Sequence, residues 1–171
     1  MKKLILTLLT MTTILSSCSS DNDNLPEGVT YDKTKGYLTT IESVQHGIIG
    51  TWKAFLEIHI IVGGTSKQLC TDSYRTIKFD KNNKFILETV ATCTEQDIND
   101  FNEAWLPPLI SSGTSEGEYS IIDGGNKFIL TLKYYRPDGS ISSTVNHEIF
   151  TLNKTTFKDS GFIYSDIYTR Q

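Results

Sequence analysis

Between residues 48 and 62 the chain alternates with a period of two: Trp52, Ala54, Leu56, Ile58, Ile60 and Val62 are apolar, and Lys53, Glu57 and His59 fall between them. Successive side chains of a strand point to opposite faces, so this pattern predicts one long strand with a single buried face. A typical strand has about five or six residues. One this long belongs to barrels and strongly coiled sheets, where a strand bends from one side of the core to the other.

The rest of the chain supports an all-β fold. Tyr and Phe occur eight times each and Met only twice, a balance that suits pleated strands better than helices. Two strands are predicted around Lys81, Asn82 and Asn83, with Phe79 and Phe85 paired across the loop and Asn83 in the left-handed conformation such loops need. Cys70 and Cys93 then meet at the open end of this hairpin, and the simplest account of two cysteines so placed in an exported chain is a disulfide. From residue 117 onward, Gly124-Gly125, Pro137-Asp138-Gly139 and Asn153-Lys154 separate further strands. Among these, Phe128, Leu130, Leu132 and Tyr134 alternate with Thr131 and Lys133. Sequential strands on short loops predict an up-and-down antiparallel β-barrel of about eight strands, the number whose closed interior just holds one small ligand.

Two segments depart from the β rhythm. Between residues 32 and 47, Tyr37, Leu38, Ile41 and Val44 recur at helical spacing, with Gly47 as a plausible terminator, which predicts a short amphipathic helix plugging one end of the barrel. Thr94 and Asp97 form a capping pair ahead of the apolar stripe Ile98, Phe101 and Trp105, and Pro107-Pro108 ends the run. This helical insertion either covers the barrel mouth as a lid or packs Trp105 on the outside of the sheet.

The N-terminus directs the chain elsewhere than the cytoplasm. Lys2 and Lys3 precede an apolar run over residues 4–15, too short for a bilayer span of about 20 residues and suited to a signal-peptide core. Leu15-Ser16-Ser17-Cys18 then resembles the lipobox of bacterial lipoproteins, which implies that residues 1–17 are a leader and that Cys18 is lipid-modified, with palmitate among its acyl chains. Residues 18–30 are polar and acidic, a flexible tether, and residues 31–171 are the folded domain. The acidic stretch after Cys18 also resembles the surface-export signal of Bacteroidetes-type lipoproteins. The localisation implied is the cell envelope, anchored in the outer membrane, with surface exposure one of two faces left open. The net charge is −4, and loss of Lys2 and Lys3 with the leader makes the mature chain more acidic, which disfavours nucleic acid as a partner.

Gly50-Thr51-Trp52 at the start of the first long strand resembles the Gly-x-Trp signature of lipocalins, and more closely the lipocalin-like domains of bacterial lipoproteins. That resemblance implies a barrel binding a small hydrophobic or amphipathic molecule, with Trp52 at the closed end and Arg170 packed over it. The cavity lining then comprises Trp52, Ala54, Leu56, Ile58, Ile60, Phe128, Leu130, Leu132 and Tyr134, the last offering a hydroxyl for orientation. The same bulky residues could instead fill the interior, and the protein would then be an envelope interaction module that binds a protein or glycan through its loops.

Catalytic signatures are missing: the sequence has no nucleophile elbow, P-loop, dinucleotide fingerprint or zinc spacing. His46, His59 and His147 are scattered, with His59 and His147 expected on the polar faces of their strands. The expectation is a monomeric, non-catalytic binding protein without cofactor or metal.

Overall fold

The computed structural model describes residues 25–56, 58–62, 64–94, 96, 97, 99, 112–161 and 167–171. The expected Cys18 anchor and the Ile98, Phe101 and Trp105 stripe lie outside these residues, although the reciprocal cap at the start of the insertion is in place: Thr94 N donates to Asp97 Oδ2 at 2.9 Å and Asp97 N to Thr94 Oγ1 at 3.1 Å.

The helix α1 (Ile41–Ile48) begins where Thr40 Oγ1 accepts the Ser43 amide at 3.1 Å. It is shorter than the apolar spacing from Tyr37 predicts. Asp32 diverts the preceding residues into a turn by accepting the amides of Thr34 and Lys35, and Tyr37 N donates to Leu152 O. Tyr37 thereby becomes part of a strap across the barrel end. Its ring presses on Gly47, where a Cβ would approach to 2.5 Å, so that glycine answers a close packing need within the helix.

Among the described residues ten strands follow: β1 (Gly50–Phe55), β2 (Ile58–Val62), β3 (Thr65–Leu69), β4 (Tyr74–Phe79), β5 (Lys84–Val90), β6 (Gly113–Asp123), β7 (Phe128–Tyr135), β8 (Ile141–Leu152), β9 (Thr156–Asp159) and β10 (Ile167–Arg170). Eight of them close a barrel in the order β1-β10-β9-β8-β7-β6-β5-β4, every pair antiparallel. The fold is the expected up-and-down barrel. The β4–β5 hairpin pairs Phe79 with Phe85, and Asn83 has φ 60 with Asp80 Oδ1 accepting the amides of Asn82 and Lys84.

The long strand expected over residues 48–62 is in fact two. β1 pairs with β4 as far as Phe55↔Tyr74, where a turn closed by Ser73 N to Cys70 O precedes β4 and carries that chain out of the ladder. After Leu56, whose amide reaches Ser73 O, the chain pairs with its own continuation, and β2 with β3 forms a separate two-stranded sheet. Alternation reports which faces a strand has, and says nothing about where its partner ends. Ile58, Ile60 and Val62 therefore do not belong to the barrel sheet.

One end of the barrel is filled. Trp52, Phe79, Phe85 and Phe157 are all essentially inaccessible, with Phe157 at 5.8 Å from Trp52, 6.3 Å from Phe79 and 5.4 Å from Tyr168 between ring centroids. Val44 and Ile48 of α1 join the same cluster. The last turn of the helix leaves carbonyls without intrahelical donors, and two barrel side chains supply them. Trp52 Nε1 donates to Ile48 O at 2.7 Å and Arg170 Nη2 to Gly47 O at 2.5 Å, with the guanidinium 4.4 Å from the Trp52 ring centre.

Candidate ligand site in the barrel mouth

Above the filled end the inward positions change character. On β4, β7, β8 and β9 the residue two positions beyond a buried apolar one is polar: Arg75 beyond Ile77, Tyr134 beyond Leu132, His147 beyond Ile149 and Asp159 beyond Phe157. Because side chains two apart share a face, all four point into the barrel. They form a polar layer on an apolar floor. His147 is 5% exposed and Asp159 6%, and His147 Nδ1 stands 3.5 Å from Asp159 Oδ2.

Electrostatics ties the four together. Burial lowers the proton affinity of His147, and the charge of Arg75 lowers it further. A carboxylate at 3.5 Å favours imidazolium, yet the desolvation of an almost inaccessible ring outweighs it, so His147 is neutral at neutral pH. Burial raises the Tyr134 hydroxyl, with Arg75 pulling it down and Asp159 pushing it up. Tyr134 therefore keeps its proton and can donate a hydrogen bond.

Beyond this layer lies a second apolar patch. Leu56, Leu69 and Cys70 are buried but stand apart from the cluster around Trp52. Cys70 is bonded to Cys93, with 4.2 Å between their Cα atoms, which ties the end of the β2–β3 hairpin to the chain leaving β5. Ser73 reinforces the same junction, its hydroxyl accepting the Thr92 amide at 2.8 Å. The junction where the β2–β3 hairpin leaves the barrel sheet is thus covalently stapled.

The residues expected to line a cavity divide between these regions. Trp52, Ala54, Leu130 and Leu132 are packed core, because α1 and the aromatic cluster occupy the space they face. Phe128 is half-buried against that core, near the strap. Leu56 is buried at the mouth, Ile58 and Ile60 are on β2, and only Tyr134 reaches the polar layer. His147 was expected at the surface and is buried instead. A register shift between Ile149 and Thr151 puts both Ile149 and Leu152 inside, so counting back from Leu152 assigns the histidine to the wrong face. Arg75 and Asp159 carry a readable signal: each is an ionisable residue in the apolar phase of its strand. Among the described residues no group of three potential ligands could hold a metal ion.

No protein-family model and no curated protein matches the chain. Among solved structures it is similar to a lipocalin-like protein from Bacteroides uniformis, at 15% identity, covering 73% of this chain and 99% of that one with a TM-score of 0.41. The eight-stranded closure stands on the chain's own strand pairing.

Proposed function

We propose that the protein is a non-catalytic, lipid-anchored protein of the bacterial outer membrane that binds one small amphipathic molecule in the mouth half of its barrel. The observation that carries this reading is the inward polar layer over an apolar floor, in which His147 and Asp159 are buried and Arg75 and Tyr134 half-buried. A core evolved for stability alone is better served by apolar residues of similar size at such positions. A ligand with a greasy body and a polar end gives the layer a purpose, since a few convergent polar groups in an apolar site fix orientation. Lipid attachment rests on the Leu15-Ser16-Ser17-Cys18 sequence and the polar tether behind it.

A test is titration of the soluble mature domain with 11-(dansylamino)undecanoic acid, an amphipathic fluorescent probe. Saturable one-to-one binding, weakened by Tyr134→Ala, is expected. Absence of saturable binding would sink the interior-site reading. Fatty-acid labelling of the full chain in its native host checks the anchor separately, with Cys18→Ala expected to abolish the label. A second reading, an interaction module with a filled barrel, draws on the dense packing around Trp52, Ala54 and Leu130.

A further inference from the structure

The wall of the barrel parts along β6. On one side β6 stays paired with β5 as far as Thr89↔Gly113, whereas its pairing with β7 stops at Gly117↔Tyr134. β7 and β8 continue together to Tyr135↔Ile141. The first four residues of β6 therefore diverge from the β7–β8 tip, and a groove of about 920 Å³ opens between them. Gly117 sits at its apex because a Cβ there would overlap the Lys133 carbonyl oxygen and press on the Phe85 ring. The register shift between Tyr134 and Tyr135 turns β7 away at the same level.

The banks of this groove carry unused hydrogen-bonding capacity. Tyr119 N donates to Asn83 O, so the odd-numbered residues of β6 direct their backbone groups at the β4–β5 side. Thr114 and Glu116, in the opposite phase, turn their N–H and C=O toward the groove, where no ladder partner stands among the described residues. Ser142 and Ser143 line the facing bank. The Tyr135 ring between them is held fast: its hydroxyl donates to Glu118 Oε2 at 2.7 Å, and Lys84 Nζ donates to Glu118 Oε1 at 2.6 Å. The lining sets Lys78, Lys84 and Arg136 against Asp80 and Glu116, and Glu118 beside the groove offsets the Lys84 charge, so little net charge is left.

We infer that this groove, which opens through the barrel wall beside Phe85 and Tyr134, is a second ligand site on the outer side of the wall, and that its ligand class is a short neutral oligosaccharide. Sugar hydroxyls need donors and acceptors interleaved, which the free backbone groups of Thr114 and Glu116 and the serine hydroxyls provide. The balanced charge gives no attraction to a polyanion or polycation. The fixed Tyr135 ring offers a rigid flat face to the apolar C–H side of a sugar ring, with little ordering entropy left to lose on binding. An added peptide strand fits less well, because strands pair at a constant spacing of about 4.8 Å and this wedge narrows to closure at Gly117.

The test is an amide-resolved NMR titration of the full soluble mature chain with maltohexaose, cellohexaose, xylohexaose and mannohexaose in turn. The expected result is saturable shifts from at least one of them at Thr114, Ser115, Glu116 and Tyr135. Those shifts are lost in Tyr135→Ala, and Tyr135→Phe, which keeps the ring but not the Glu118 bond, restores binding with affinity reduced by about tenfold or less. Silence from all four sugars at these amides overturns the inference, as do shifts that survive Tyr135→Ala in a folded protein. If the extended peptide Thr-Val-Thr-Val-Thr shifts these amides and the sugars do not, strand addition replaces it.

Discussion

At the end of the barrel where β1 starts, Trp52, Phe79 and Phe157 fill the interior and α1 seals it; toward the other end, Arg75, Tyr134, His147 and Asp159 occupy the inward positions of the same kind of strand. The closed end is held by dispersion and by two side chains that satisfy the orphan carbonyls of one helix turn. The mouth is held by a covalent staple and carries ionisable groups that burial has shifted. On the proposed function such a division serves binding, with rigidity concentrated where nothing must enter and polar groups kept where a ligand would arrive. Substitutions at the two ends should therefore separate stability from binding.

The largest effect is expected at the closed end. Trp52→Ala removes a fully buried indole together with the Ile48 hydrogen bond and the Arg170 stacking partner, and should lower unfolding free energy by about 3–5 kcal/mol in a denaturant titration. Removing the staple with the double change Cys70→Ser, Cys93→Ser comes next, at about 3 kcal/mol in the chain-entropy model for a loop of this size. Its distinguishing mark is locality: hydrogen exchange should rise at β2, β3 and the end of β5 more than at α1. Ala54→Trp, which inserts an indole beside Trp52 and Arg75 where Ala54 is 1% exposed, should overpack and destabilise by about 1–3 kcal/mol. Wild-type stability there would show space that the packing does not.

The smallest predicted effect is a pH slope. The folded-state proton affinity of His147 lies below the unfolded value of 6.5, so the unfolded chain binds the proton first. The contribution is fully present above about pH 6.5 and is lost as pH falls toward the folded value. Burial sets the shift first and the charge of Arg75 on β4 adds to it, while Tyr134 on β7 and Asp159 on β9 face the same layer. Asp80 and Asp138, whose carboxyls are lowered by backbone and side-chain hydrogen bonds, act only below 3.8 and leave this window clear. His147→Phe should remove the slope between pH 6.5 and 5 in thermal unfolding; an unchanged slope would place its origin elsewhere.

How much of this was legible in the chain follows from what alternation encodes. The β4–β5 hairpin could be read because Phe79, Asn83 and Phe85 agree on face, turn and register at once. The meander could be read because Gly, Pro and Asn mark its turns. The division of residues 48–62 could not, since both halves keep the same phase and only the partner changes. The candidate site was largely hidden. Tyr134 was in view as a hydroxyl among Phe128, Leu130 and Leu132, whereas His147 was concealed by the register shift after Ile149. Arg75 and Asp159 look like ordinary surface charges until Ile77 and Phe157 are seen to share their face.

The separation of a structural end from a binding end is tested most directly by native mass spectrometry of the mature soluble domain from its own host. The account predicts a single small molecule retained at one-to-one stoichiometry by the wild type and lost in Tyr134→Trp, which fills the polar layer, while Lys53→Ala, on the outer face of β1, keeps it. A domain that shows only its own polypeptide mass, or a bound molecule that Tyr134→Trp leaves in place, would contradict it.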